Sequence, residues 1–198
     1  REVLEKLLAK KPDHPGANHY YIHVMEPSPY AAKALPSADR LGKLTPGISH
    51  TVHMPSHIYL RTGQYVKGSQ VNENAVNSYR KMILLYAPVT GNAFLYAIHN
   101  LHMQTNHAMM AGRSGYAVWS AKETVKSIPG DYLSIPGSLG NYLQYIYMTP
   151  ALVHVRFGNW TELLKMPPPA SSMIYANLLY HFGRGMAFTQ QQNLIKAK

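Results

Sequence analysis

The sequence predicts an all-α fold, an α-solenoid of antiparallel helix pairs, and three observations carry that expectation. A block of the chain repeats itself once, so that His19-x3-His23 returns as His53-x3-His57, Pro12 as Pro46 and Val24 as Ile58. Turn signals recur at related intervals along the rest of the chain. The apolar–polar alternation of a half-buried strand is sustained nowhere. A repeat of this length is one supersecondary unit that cannot bury its apolar face alone, so neighbouring units must stack to share a core.

Taken in order, Arg1 to Lys10 reads as the second half of a helical pair. Each later unit is expected to place a short turn between its two helices, marked by a glycine with an aromatic residue two positions on. Gly63-Gln64-Tyr65 fits, with Ala75 following in the second helix. Gly158-Asn159-Trp160 fits again, Gly112-Arg113-Ser114 more loosely, Gln192 replaces the glycine in the last unit, and Pro29 holds its place in the first. The marks therefore stand at 29, 63, 112, 158 and 192, with equal first and last steps and two longer ones between them. The two long steps require insertions, and Leu85 to Asn92 and Ile128 to Gly140 carry the Pro and Gly that punctuate them. Helical patterning runs from Ala93 to Met110 and from Asn141 to Val155, and Met166 to Pro169 is a polyproline break. The result is one repeat domain over 1–198, with units at about 12–45, 46–80, 92–128, 139–166 and 171–198. A compact helical bundle is the alternative all-α reading. Both ends look cut from a longer array, so any targeting signal is expected outside this segment, and cytoplasm and periplasm both stay open.

A chain of 198 residues can bury a sizeable core. The absence of cysteine excludes disulfides and thiolate ligands. The formal charge of +10, from 19 Lys and Arg against 9 Asp and Glu, is scattered along the chain. A nucleic-acid surface needs a gathered basic face, so no specific nucleic-acid partner is expected, only a general attraction to acidic partners. No apolar run approaches the roughly 18 residues of a transmembrane helix. A Gly-rich phosphate loop, a nucleophile elbow and an H-E-x-x-H motif are all missing from the sequence.

The segments His14-Pro15-Gly16-Ala17-Asn18-His19-Tyr20-Tyr21-Ile22-His23 and His53-Met54-Pro55-Ser56-His57-Ile58-Tyr59, continued by His99-Asn100-Leu101-His102 and Met110-Ala111-Gly112-Arg113, resemble bacterial tetratricopeptide-repeat proteins of uncharacterised function. The resemblance covers most of the chain and implies a right-handed superhelical repeat array used as a binding scaffold, without implying a reaction or a ligand. It departs from the general repeat pattern at Gly68, Asn72 and Gln192, where a small residue, a bulky apolar residue and a glycine are usual.

The histidines follow the same register. Thirteen, ten and six residues before Gly63 lie His50, His53 and His57, and the same offsets before Gly112 give His99, His102 and Asn106. Before Pro29 they give Gly16, His19 and His23, with Glu26 one turn further. On a helix these offsets fall within an arc of about 60°. Before Gly158 they give Tyr145, Met148 and Leu152, and before Gln192 they give Leu179, Phe182 and Met186, so the polar stripe belongs to the first three units. Imidazoles four residues apart reach one ion from one helix face, and neutral imidazole suits divalent transition metals.

The expected metal ligands are therefore His19, His23, His53, His57, His99 and His102, with His50, Asn106 and Glu26 beside them in a ligand groove, which the resemblance to tetratricopeptide arrays implies is on the concave face. Zn or another divalent transition metal is the expected cofactor; Met54 and Met103 would suit Cu(I), but two thioethers are thin ground for copper. Glu26 is a candidate carboxylate ligand, or a general base acting on metal-bound water in a hydrolase. The competing expectation is a metal-free interaction module that binds a partner peptide in the groove, its histidines hydrogen-bonding between helices. Pro55 bears on both, because it disfavours helix at Met54 and would leave His50 and His53 in a loop if the helix began there.

Overall fold

The computed structural model describes residues 1–86 and 94–197, and all regular structure among them is helical. The chain divides into two compact units, Arg1–Ala111 and Gly112–Lys198, with the boundary at the expected Gly112 turn.

The first unit holds α1 (Glu2–Lys10), α2 (Pro15–Met25), a 3-10 turn (Ala31–Ala34), α3 (Leu35–Leu44), α4 (Ser49–His53), α5 (Pro55–Arg61), α6 (Tyr65–Leu85) and α7 (Phe94–Met110). Pro15 opens α2, where its missing N–H would have no helical partner anyway, and His14 Nδ1 accepts the Ala17 N–H at 3.2 Å. His14 is thus a helix cap. Apolar residues three and four apart put Ile22 and Met25 on one face of α2, Ala38 and Leu41 on one face of α3, and Met54 and Ile58 at α5, all fully buried together. α2 packs on α1 and α3, α3 on α5, and α6 against α4, α5 and α7. Asn100 on α7 donates to Ser49 Oγ at 3.0 Å, and Ser49 donates to the Ala75 carbonyl at 2.8 Å, which ties α4, α6 and α7 together.

Pro55 does not unwind the chain before it. Met54 keeps helical angles (φ −50°, ψ −38°), its N–H reaches the His50 carbonyl at 3.1 Å, and the His57 N–H reaches the Met54 carbonyl at 3.2 Å. Burial of Met54 among α2, α3 and α5 residues outweighs the usual pre-proline preference for extended backbone. His50, His53 and His57 therefore ride on two helices that meet without a loop.

The second unit holds α8 (Ser114–Lys126), a 3-10 turn (Gly130–Ser134), α9 (Ser138–Tyr147), α10 (Thr149–Phe157), α11 (Trp160–Lys165), α12 (Ile174–Gln190) and α13 (Leu194–Ala197). Its core gathers Met148, Ala151, Leu163, Met173, Ala176, Tyr180 and Ala187. The helical pattern expected from Asn141 to Val155 is divided between α9 and α10 at Met148, because Pro150 cannot donate the next helical hydrogen bond. Gln144 Oε1 accepts the Tyr175 and Ala176 N–H groups at 3.0 and 3.2 Å, satisfying two donors at the start of α12. Of the two expected insertions, 128–140 contains the second 3-10 turn, and most of 85–92 lies outside the described residues.

Four of the five expected turn positions have left-handed backbone: Gly63 (φ 77°), Gly112 (70°), Gly158 (67°) and Gln192 (59°). Glycine adopts these angles freely, and Gln192 does so against its Cβ. The fifth position is Pro29, whose ring holds φ negative, and the chain turns there through Pro27 to Tyr30 instead.

Candidate metal centre

Two groups of three histidines converge in the first unit. The first is His19 and His23 from α2 with His50 from α4; the second is His53 from α4, His57 from α5 and His99 from α7. Within each group one ligand nitrogen per residue lies within 4.8 Å of the others, close enough for the three to hold one metal ion. In the first group His19 Nε2 is 3.1 Å from both His23 Nε2 and His50 Nε2. In the second, His53 Nε2 and His57 Nε2 are 2.8 Å apart, and the His99 ring centroid is 4.6 and 5.7 Å from theirs. The groups are neighbours: ring centroids of His23 and His57 are 6.2 Å apart, and those of His50 and His53 are 6.3 Å apart.

The second triad is braced from behind. Asn72 Nδ2 donates to the Gly68 carbonyl at 2.9 Å, so its Oδ1 faces His53 and accepts the Nδ1 proton at 2.6 Å. Glu26 Oε1 accepts the His57 Nδ1 proton at 2.7 Å. With both Nδ1 atoms assigned as donors by this network, the two Nε2 atoms are left facing each other. Ligating histidines are commonly oriented by such a carboxylate or carbonyl oxygen on the far nitrogen. Glu26 thus sits behind an imidazole, where it orients the ring rather than facing a metal-bound water.

Burial favours the neutral, coordinating form of five of these rings, His19, His23, His50, His53 and His99. Burial, followed by repulsion from His57 and His99, holds His53 well below the ordinary histidine range. Burial likewise pushes His50 and His99 down to about 4. His19 and His23 are lowered by the same cause. The Glu26 carboxyl lies below its usual range, first through the hydrogen bond from His57 and against the opposing effect of burial.

The first triad is more open: His23 is exposed, His19 and His50 are half-buried, and no carboxylate hydrogen bonds to any of its rings among the described residues. His50 Nδ1 is buried without a hydrogen-bond partner. His50 also lines a cavity of about 640 Å³ formed with Ile48, Tyr79, Met82, Tyr86 and Tyr96. The Tyr96 and His50 ring centroids are 5.4 Å apart.

Five of the six expected histidine ligands fall in the triads, and the sixth triad member is His50, one of the expected groove residues. His102 lies outside both groups, buried on α7 with its pKa pushed to about 4 by that burial. Asn106 is half-buried and outside both groups too. The arrangement is staggered rather than one unit deep, because each H-x3-H pair takes its third member from the next unit. From the first triad to the second, His19 and His23 advance by the first turn step to His53 and His57, while His50 advances by the longer second step to His99. The next advance gives His102, Asn106 and Tyr145, with one imidazole in three.

The sequence reading missed Asn72 as part of the site, although its presence where the repeat pattern has a bulky apolar residue was a signal. His107, which lies off the stripe, closes against α6: its Nε2 donates to the Ser56 carbonyl at 3.1 Å, and a Cβ at Gly68 would overlap its ring. Compared with protein-family models, curated proteins and solved structures, the chain matches none.

Proposed function

We propose that this chain is a tetratricopeptide-like scaffold, a right-handed superhelix of antiparallel helix pairs, whose concave face binds divalent transition metal, zinc or a neighbour of zinc, through its histidine triads. The observation that carries the reading is the 2.8 Å approach of His53 Nε2 to His57 Nε2 while Asn72 and Glu26 occupy both Nδ1 protons. Two bare lone pairs at that separation repel, and either a proton shared between the rings or a metal ion held by both removes the repulsion; the third imidazole beside them, His99, favours the metal. Imidazole nitrogens at about 2.0–2.1 Å from a tetrahedral ion are about 3.3 Å apart, close to the 3.1 Å of His19–His23 and His19–His50 and the 2.8 Å of His53–His57. Three imidazoles leave a coordination position for water or ligand, the arrangement of catalytic rather than structural sites. In a hydrolase of this kind Glu26 would act through His57.

Elemental analysis of the untagged, chelator-free protein tests the proposal. The expected result is near-stoichiometric transition metal, lost in a His23→Ala/His57→Ala double variant. Metal-free protein that also takes up no added Zn or Cu would overturn it and leave the histidines as packing residues.

A second reading, a peptide-binding groove, is favoured by one feature of the second unit. Ile174, Leu178, Phe182 and Met186 form a row along α12 and are 79, 60, 50 and 38% exposed. Phe182 and Met186 stand at the offsets that histidines hold in the earlier units. An exposed apolar row is the surface on which a partner segment docks. Loss of peptide binding in Phe182→Asp, with metal content unchanged, is the expected signature.

A further inference from the structure

Resting on the metal reading above, we infer that the two triads are unequal seats. The ion in His53/His57/His99 is retained. The ion in His19/His23/His50 is exchangeable, and it binds the anionic head of a small molecule whose apolar body fills the tyrosine-lined cavity beside His50.

The inequality follows from what stands behind each ring. His53 is fully buried, its Nδ1 is held by Asn72, and Asn72 is itself fixed by the Gly68 carbonyl. His57 is held by a carboxylate, which raises the basicity of Nε2 and offsets part of the charge of an ion there. In the first triad His23 is exposed and no carboxylate hydrogen bonds to the rings among the described residues. His50 Nδ1 has no partner to fix its tautomer. Three neutral imidazoles leave the full charge of a divalent ion uncompensated, so an anion is the favoured fourth ligand.

The cavity defines the rest of that ligand. Its walls are Ile48, Tyr79, Met82, Tyr86 and Tyr96, with Gly47 and Ser49 beside His50, and none of these side chains carries a formal charge. At about 640 Å³ it lies in the size range of small-molecule sites and accepts a ring or a short alkyl chain. Because His50 belongs both to the triad and to the cavity wall, one molecule can reach both. A carboxylate with an aromatic or alkyl body is the simplest compound of that class.

The test uses the full chain loaded with Co(II), whose visible absorption reports coordination, together with elemental analysis. The expected result is two cobalt ions per chain. Under excess EDTA one should leave at least tenfold faster than the other. His50→Ala, and independently His19→Ala, should remove the fast ion and keep the slow one, with far-UV circular dichroism establishing that the helices remain. Phenylacetate should change the spectrum of the fast ion and bind at least tenfold tighter than acetate, since the ring adds apolar burial. Met82→Trp, which fills the cavity, should abolish that preference without changing the cobalt count. One ion per chain, two ions leaving at one rate, equal affinity for the two acids, or a preference that survives Met82→Trp would each overturn the inference while leaving the metal reading intact. Failure to take up cobalt at all would overturn both.

Discussion

At Asn72 a single amide decides the tautomer of a ring suited to ligation. Its Nδ2 is fixed on the Gly68 carbonyl, its Oδ1 therefore accepts from His53 Nδ1, and Nε2 is left to coordinate. Replacement by leucine, the kind of residue the repeat pattern favours there, removes that acceptor and leaves the buried His53 Nδ1 only Ser56 Oγ, at 3.4 Å. Asn72→Leu and Glu26→Gln are each expected to weaken metal binding by about 10–100-fold, read by competition against a chromophoric chelator. Affinity unchanged in both would show that the bracing is incidental. Gln192 is informative for stability alone. Its left-handed backbone (φ 59°) is strained for any residue with a Cβ, so Gln192→Gly should stabilise the fold by about 0.5–1 kcal/mol, measured by urea unfolding. The signal for Asn72 was present in the sequence as a break in pattern; helical periodicity puts Gly68 one turn before it, but His53 comes from another helix and no spacing places it there.

At the scale of elements, the close approach of α6 and α7 fixes where His99 can stand. Gly68 allows it, because a Cβ there would overlap three atoms of the His107 ring. Gly68→Ala should force the two helices apart, destabilise the protein by about 1–3 kcal/mol, and weaken metal binding in proportion to the displacement of His99. A variant of wild-type stability and metal content would show that the ring simply rotates away. The α4–α5 junction makes the complementary point. Spacing put His50, His53 and His57 in one register, and the proline rule argued that His50 and His53 would leave the helix. The rule lost because Met54 is fully buried against α2 and α3, a tertiary effect that no local preference contains. At Pro150 the missing N–H does divide one expected helix, into α9 and α10, although Thr149 before it stays helical.

For the molecule as a whole, buried histidine makes stability depend on pH. His102 and His107, outside both triads, are pushed down to about 4 by burial, against about 6.5 in the unfolded chain. Above pH 6.5 both are neutral in both states, and their full contribution is present. As pH falls from 6.5 toward 4 the unfolded state takes up protons first, so stability declines by about 1.4 kcal/mol per pH unit for each group. The melting temperature of chelator-treated protein should be flat from pH 7 to 8 and fall steadily between 6.5 and 5; a flat profile throughout would show that these rings titrate normally. The membrane expectation fits the same scale, since no helix among the described residues is long and apolar enough to cross a bilayer.

The sequence by itself determined the helical class, four left-handed or glycine-marked turns, and the register that carries histidines through the first three units and then abandons them. These are periodic properties, and periodicity is written in spacing. Only the tertiary structure decided that the stripe divides into two triads, that His50 rather than His102 completes them, and that Glu26 and Asn72 stand behind the rings. Those outcomes depend on how far one helix is staggered against the next, a quantity set by side-chain packing between units and recorded in neither unit's own residues.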